Sequence, residues 1–425
     1  MFNKLSKMKN IVEELRWRGL IHDLIPGTEE QLLKEPTTAY VGFDPTSDSL
    51  HIGSLVPIIL LMHLKRFGHN PIALVGGATG MIGDPSGKSS ERNLLDKETL
   101  DKNVEGITNT LNKFLDGVPV LNNFDWMSKF SFIDFVRDIG KNITVNYMLS
   151  KQSVKNRIEG EGMSFTEFTY QLIQGFDFLH LNKEHNCLLQ MGGSDQWGNI
   201  TTGTELIRKL TKKDAFALTC PLLTKADGTK FGKSEAGENI WLDANKTSPF
   251  RFFQFWLNTD DKDAERFIKI FTFLDKDTID NLIEEHNKAK HLFLLQKTLA
   301  KELTIMVHGE EAFINAQNAS SVLFGGGDFT KLDEETLLEV FNDVPSNTLN
   351  LDSIRLGLPI IDVLSKTNLV TSNNESRRAL RENSVSINRN KVDETKLVTG
   401  ADLLNDKFLV LQRGKKKFFI LKFED

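Results

Sequence analysis

Cysteine is nearly absent: among 425 residues only Cys187 and Cys220 carry a thiol. Two cysteines exclude a disulfide framework, and no spacing suggests zinc. Both read as buried free thiols. No run of 18 apolar residues occurs, which excludes a transmembrane helix. The opening MFNKLSKMKNIVEELRWRGL is basic, yet it has neither a long apolar centre nor a small-residue cleavage site, so it does not read as a signal peptide. It reads as an amphipathic helix ending at Gly19, and the expected location is the cytoplasm. Internal repeats, low-complexity tracts and heptads are all missing. Tyrosine is scarce as well: Tyr40, Tyr147 and Tyr170 stand against 30 phenylalanines. Where a ring suffices this chain uses phenylalanine, so a tyrosine is expected to be present for its hydroxyl, which both donates and accepts.

What remains is ordinary globular composition, 40% hydrophobic and 26% charged, with a length that suggests about three domains. The net charge of −6 argues against indiscriminate nucleic-acid binding. The charge is uneven, however. Residues 351–425 hold 14 Lys and Arg against 10 Asp and Glu, and the basic excess peaks in QRGKKKFF. A strand TTAYVGF, an apolar helix from His51 to about Phe67 and a second buried run PIALVGG make a parallel strand–helix–strand unit. Residues 97–150 carry mostly helical pattern. LLQMGGSDQWGN and ALTCPLLTKADGTKFGKS each read as a strand running into a glycine-containing loop. Residues 247–325 are helical and rich in phenylalanine, GGGDF at 325–329 is a hinge-like break, and DVPSNTLNLD at 343–352 is the expected linker. The resulting divisions are 1–223, 224–345 and 353–425.

Several stretches carry chemistry. In YVGFDPTSDSLHIGSL a strand gives way to a helix whose first turn offers unpaired N–H groups and the positive end of its dipole, a ready phosphate site. TKADGTKFGKSE sets Lys230 and Lys233 in a glycine-containing loop. Such a loop is either a solvated surface or a mobile clamp that closes ammonium groups over a polyphosphate. GDPSGKSSER places Lys88 and Arg92 four apart after a strand end, but no glycine stands five positions before Gly87, so a P-loop is rejected. In SFTEFTYQLIQGFDF, Tyr170, Gln174 and Asp177 recur at helical spacing as one polar stripe on an apolar helix. That stripe is either a satisfied core network or a ligand wall.

HIGSL resembles the HIGH signature of class I aminoacyl-tRNA synthetases, and KFGKS resembles their KMSKS loop. Together with YVGFDPT, LVGGATGMIGDPSGK, TEFTYQLIQGFD and GGSDQWGN, the pattern resembles the bacterial tyrosyl-tRNA synthetases over essentially the whole chain. The resemblance implies an α/β fold. A Rossmann-like parallel-sheet catalytic domain with a helical insertion would be followed by an α-helical domain and a small α+β RNA-binding domain. It implies two steps without a protein nucleophile. The tyrosine carboxylate attacks the α-phosphorus of ATP, supplied with Mg2+, and releases pyrophosphate. The terminal adenosine of tRNA(Tyr) then takes the tyrosyl group. By the same resemblance Thr46, His51, Lys230 and Lys233 contact the phosphates, with Lys88 and Arg92 in support. Tyr40 and Asp177 meet the substrate phenol, Asp84, Tyr170 and Gln174 hold its ammonium group, and Gln196 faces its carboxylate. Gly42, Asp44, Gly53, Ser54, Gly193, Asp195 and Lys233 bind ATP. Ser54 stands where the signature has its second histidine, which implies a modest change in nucleotide contacts. The tail would bind tRNA through Arg377, Arg378, Arg381, Arg413, Lys415, Lys416 and Lys417, with Arg208 and Lys209 at the acceptor stem. A homodimer is implied, its interface between ITVNYMLSKQSV and SFTEF, where Tyr147 serves packing. No tightly held protein-ligated metal and no editing domain is expected. The competing readings are a tryptophanyl enzyme, a non-catalytic synthetase-derived RNA-binding protein and a generic nucleotidylyltransferase.

Overall fold

The computed structural model describes residues 10–87, 94–160, 162–229, 231–233, 237–323, 327–342, 344–414 and 417–424. The chain divides into two compact units, Met1–Ser248 with Phe255–Leu303, and Pro249–Gln254 with Thr304–Asp425.

The first unit is built on a six-stranded sheet. Its strands are β1 (Asp23–Leu24), β2 (Thr38–Phe43), β3 (Asn70–Val75), β4 (Val120–Asn122), β5 (Cys187–Gly193) and β6 (Phe216–Cys220), ordered β1-β6-β5-β2-β3-β4. Only the edge strand β1 runs antiparallel to its neighbour. β2, the helix Leu55–Arg66 and β3 form the expected parallel unit, with Thr38 to Phe43 in register against Asn70 to Val75. The helix does not begin at His51, as the sequence pattern suggests. A 3-10 turn, Ile52–Ser54, comes first, because the extended backbone of His51 turns its own ring back as a cap: Nδ1 accepts the Gly53 N–H at 3.0 Å. In the region expected to be mostly helical, the helix Lys97–Phe114 is capped by Asp96, but β4 also adds an edge to the sheet. Three residues are too few for alternation to show.

The helix Phe165–His185 lies across the helix Trp197–Thr211 at very close range. Glycine makes that approach possible. A Cβ on Gly203 would fall 2.9 Å from the Phe178 Cβ, and one on Gly175 would fall 3.2 Å from the Gly203 nitrogen. The expected helical, aromatic region is present as the helices Asp261–Phe271 and Lys276–Lys288, with Trp256, Phe267 and Phe271 buried together. Arg18, on the helix Ile11–Arg18 that Gly19 ends with a positive φ, is buried and donates to the carbonyls of Lys269, Thr272 and Leu274 at 2.7 Å each.

In the second unit the helices Ile360–Ser365 and Asn373–Arg381 pack with β7 (Ser346–Asn350), β8 (Leu358–Pro359), β9 (Val385–Ile387), β10 (Asn390–Lys391), β11 (Leu397–Val398), β12 (Phe408–Arg413) and β13 (Lys417–Glu424). The larger sheet has the order β10-β9-β12-β13-β7, and Val363, Leu380, Leu409, Leu411 and Leu421 fill its core. One expectation is corrected here. Of the expected linker 343–352, residue 343 lies outside the described residues, and 346–350 are a strand, because β7 pairs in parallel with β13 from Ser346 to Asn350. Four of its five residues are exposed, so the strand shows no apolar alternation. Of the expected break GGGDF, residues 325 and 326 lie outside the described residues, and the buried Phe329 opens a 3-10 turn, Phe329–Lys331, whose other two residues are exposed. Among the described residues no helix is long and apolar enough to cross a membrane.

Gly203→Ala measures the helix contact. Helix propensity would favour alanine by about 0.8–1.0 kcal/mol. Overpacking against the Phe178 Cβ, which cannot swing away, costs about 1–3 kcal/mol. The expected outcome is a lower thermal unfolding midpoint, read by circular dichroism.

Candidate active site

The strand order reverses between β2 and β5: the chain moves outward through β3 and β4, then returns to lay down β5 and β6 on the other side. A crevice beyond the strand C-termini at such a point is where open α/β sheets take ligands. A cleft of about 250 Å³ lies there, reached by Asp44 after β2, Gly76 after β3 and Gly192–Gly193 at the end of β5. The stripe Tyr170, Gln174 and Asp177 forms part of its wall. Tyr40, Gly42, Thr46, Asp84 and Gln196 line it too. Ten of the residues expected from sequence are thus drawn from stretches up to 156 positions apart into one cavity.

One part of the wall is a buried polar cluster. Asp177 is 1% exposed and accepts from Trp126 Nε1 at 2.8 Å and from Asn123 Nδ2 at 2.9 Å. Burial nevertheless outweighs those two donors and pushes its carboxyl up to about 7. The Tyr40 hydroxyl is buried and has no hydrogen-bond partner among the described residues. Burial, and then the charge of Asp177, hold its phenol well above the ordinary range, so it remains a donor. Gln174 Oε1 and Gln190 Oε1, also on the cleft wall, are buried and unpartnered among the described residues. A polypeptide rarely leaves such atoms unmet, and a polar ligand is the physical reason to do so.

Beside this cluster, Asp84 is fixed by the Ser86 N–H at 2.9 Å and by Gln196 Nε2 at 2.6 Å. The Tyr170 hydroxyl donates to Asp44 Oδ2 at 2.7 Å, while Thr79 donates to Asp44 Oδ1 at 2.7 Å. Asp195 folds back over Gly193, where a Cβ would lie 2.6 Å from its Oδ1, and burial followed by the charge of Asp84 raises its carboxyl.

His51, Gly53, Ser54 and Lys233 belong to a neighbouring backbone layer. Ile52 N–H donates to the Ile240 carbonyl at 2.8 Å, Leu242 N–H to the Leu50 carbonyl at 2.9 Å, and His51 bridges to Trp241. Gly53 is bare because the His51 ring occupies the place of its side chain, 2.7 Å from where a Cβ would be. Since His51 Nδ1 accepts, the neutral ring carries its proton on Nε2. In the lysine loop, Gly232 has a φ of +95° and its would-be Cβ meets Ile52 at 3.2 Å. Its carbonyl accepts the Ile240 N–H at 3.0 Å. Phe231 plugs into the aromatic cluster, with ring centroids 4.8 Å from Phe267 and 5.4 Å from Phe271. Ile52 and Gly232 are therefore joined through the backbone of Ile240. Lys88, Arg92 and Lys230 lie outside the described residues.

Sequence reasoning missed Asn123, Trp126, Thr79 and Gln190. Asn123 and Trp126 follow the short β4, and the apolar-then-amide run VPVLNN was the only hint. Of the basic residues, Arg208 pairs with Glu205 at 2.7 Å, and Lys209 donates to the Asn142 carbonyl at 2.9 Å. Arg377, Arg378 and Arg381 are exposed on one helix, with Arg381 paired to Glu394 at 2.7 Å. Arg413 is spent internally on the Leu369 carbonyl and Glu375, at 2.6 and 2.9 Å. Lys417 is exposed at the start of β13, and Lys415 and Lys416 lie outside the described residues.

Comparison with known proteins agrees with this geometry. Residues 32–325 match the family described as tRNA synthetases class I (W and Y), and residues 336–421 match the Tyrosine--tRNA ligase SYY-like C-terminal domain. The chain is 63% identical to a "Tyrosine--tRNA ligase" of Flavobacterium johnsoniae, over 98% of this chain and 100% of the relative. It is 57% identical to one of Bacteroides fragilis, over 97% and 99%. A crystal structure of a C-terminally truncated Aspergillus nidulans mitochondrial tyrosyl-tRNA synthetase superposes with a TM-score of 0.68 at 32% identity, covering 76% of this chain and 96% of that one. A tryptophanyl-tRNA synthetase of Encephalitozoon cuniculi, at 14% identity and a TM-score of 0.51, shares the fold. This chain belongs to the class I tRNA synthetases of the tryptophan and tyrosine family.

Proposed function

We propose that this protein is a tyrosine–tRNA ligase: it activates L-tyrosine with ATP to tyrosyl-adenylate and passes the tyrosyl group to the 3′-terminal adenosine of tRNA(Tyr). The observation that carries this reading is the buried pair at the cleft wall, the partnerless Tyr40 hydroxyl beside the Asp177 carboxylate. A phenol hydroxyl satisfies both, donating to Asp177 and accepting from Tyr40. An indole offers one donor and no acceptor, and phenylalanine offers neither. A site of this kind rejects the analogue lacking the hydroxyl by about 10⁴–10⁵ without editing, because two buried polar groups would be left unpaired.

In the first step the tyrosine carboxylate attacks the α-phosphorus and pyrophosphate leaves. The protein's part is positioning and charge stabilisation. Asp84, Tyr170 and Gln174 hold the ammonium group, with Gln196 at the carboxylate. Gly42, Gly53, Ser54, Gly193 and Asp195 receive the nucleotide. Thr46, the His51 Nε2–H, Lys230 and Lys233, supported by Lys88 and Arg92, meet the phosphates as charge builds on the departing pyrophosphate. We assign Mg2+ to the nucleotide, entering as magnesium–ATP.

For tRNA we assign the exposed Arg377, Arg378, Arg381 and Lys417, together with Lys415 and Lys416, and Arg208 and Lys209 at the acceptor end. Arg413 is left to its structural role. Residues 1–223 are assigned to activation, 224–345 to the lysine loop and helical region, and the tail to RNA, its sheet now starting at Ser346 rather than 353. We assign a second copy of the chain to the apolar surface at Phe132, Ile133, Val145, Leu149 and Phe165, exposed by 67%, 68%, 60%, 37% and 67%. The substrates place the enzyme in the cytoplasm.

ATP–pyrophosphate exchange with Tyr, Trp and Phe in parallel tests the assignment. Exchange is expected with tyrosine, and faster exchange with Trp would overturn it. Lys233→Ala is expected to slow single-turnover adenylate formation by about 10²–10³, with tyrosine affinity nearly unchanged by equilibrium titration. Asp177 supplies a pH signature. Below about 7 its carboxyl is protonated and loses the charge-assisted bond from the phenol. The kcat/KM for tyrosine should therefore fall as pH drops from 8 to 6, and Asp177→Asn should flatten that limb of the profile.

A further inference from the structure

Hydrogen-bond direction is fixed along one side of the cleft. The Asn123 Oδ1 accepts the Ala78 backbone N–H at 2.6 Å, so the amide orientation is set and its Nδ2 must donate. It donates to Asp177 Oδ2 and, at 3.1 Å, to Thr79 Oγ1. Thr79 therefore spends its own proton on Asp44 Oδ1, at 2.7 Å. Tyr170 gives its proton to the other oxygen, Asp44 Oδ2, also at 2.7 Å. The backbone is shaped around this arrangement. A Cβ on Gly76 would stand 2.2 Å from Thr79 Oγ1 and 2.3 Å from Asp44 Oδ1, so only glycine leaves room for the pair to meet.

A phenol has a single proton. Once Tyr170 has committed it to Asp44, its oxygen can present only lone pairs to the cleft. Burial, then Asp44, hold the phenol well above its ordinary range, so the proton stays on Tyr170. Asp84 and Gln174 Oε1 stand on the same wall and also accept. Three acceptors match the three N–H bonds of an α-ammonium group. An α-hydroxyl has one proton and leaves two of them unmet.

We propose that Asp44 is a specificity-determining positioning residue: by taking the Tyr170 proton it makes the subsite acceptor-only, so that an α-amino acid is accepted and the α-hydroxy acid of the same shape is refused. This rests on the tyrosine-activating reading and assigns Asp44 a place other than the nucleotide contact implied by sequence resemblance. Asp44→Asn puts an amide at this position, which can donate to Tyr170 and turn its proton into the cleft.

The test is ATP–pyrophosphate exchange by the full chain with L-tyrosine and with L-3-(4-hydroxyphenyl)lactate. The variants are Asp44→Asn, Tyr170→Phe, the double variant and Thr79→Val. For Asp44→Asn the expected result is a rise in KM for tyrosine and a tyrosine-to-lactate selectivity narrowed by about 10-fold, with KM for ATP within about two-fold of wild type. Thr79→Val, which loosens Asp44 without touching Tyr170, should narrow selectivity in the same direction by less, and it decides the matter alone if Asp44→Asn does not fold. The double variant should match Tyr170→Phe, since Asp44 acts through that hydroxyl. Additive effects, a rise in KM for ATP larger than that for tyrosine, or wild-type selectivity in Thr79→Val would overturn the proposal. Failure of the wild-type protein to catalyse any tyrosine-dependent exchange would instead overturn the activity itself.

Discussion

Two carboxylates, the buried Asp177 and the half-buried Asp44, organise the wall of the cleft. Removing a charged group from water is costly unless hydrogen bonds replace the lost hydration. Asp177 has two such bonds, from Trp126 and Asn123, and burial still raises its carboxyl. The site is thus incomplete by one donor, and the Tyr40 hydroxyl is incomplete by one partner. On the function proposed above, selectivity follows from that incompleteness. A ligand that completes the network removes an existing penalty, whereas one that cannot must leave the penalty in place and also displace any water that relieves it.

The network also joins subsites that are separate in chemistry. Asn123 touches Asp177 and Thr79, Thr79 touches Asp44, and Asp44 touches Tyr170. One amide, oriented by a backbone N–H, therefore sets proton direction from Asp177 to Tyr170. A second device lies beside the first. Ile52 of the HIGS turn and Gly232 of the lysine loop both hydrogen-bond to Ile240, and Phe231 anchors that part of the loop in the aromatic cluster. On the function proposed above, positive groups borne by such a loop keep a fixed root while they meet charge that appears only as pyrophosphate departs. The abundance of phenylalanine thus has a purpose beyond filling volume: it roots the loop that carries Lys233.

Much of this was legible in sequence because the signals were local. The parallel strand–helix–strand unit followed from apolar runs punctuated by glycine, and the stripe Tyr170, Gln174 and Asp177 followed from helical periodicity alone. The contrast of three tyrosines with 30 phenylalanines pointed at hydroxyls, and both Tyr40 and Tyr170 proved to line the cleft. Where the signal was short or the strand exposed, it failed. β4 has three residues, and β7 shows solvent on nearly every position, so it passed for a linker until its pairing with β13 was seen.

The sequence by itself determined the polar stripe Tyr170, Gln174 and Asp177, the two telling tyrosines and the lysine-bearing loop, because side-chain type and periodicity are properties of neighbouring positions; the groups they would read were implied by family resemblance. Only the tertiary structure decided that Asn123 and Trp126 hold Asp177, that Arg413 is occupied within its own unit, and that Asp44 takes the Tyr170 proton. Those are contacts between segments as far as 126 residues apart, and hydrogen-bond direction depends on distances that no linear pattern contains.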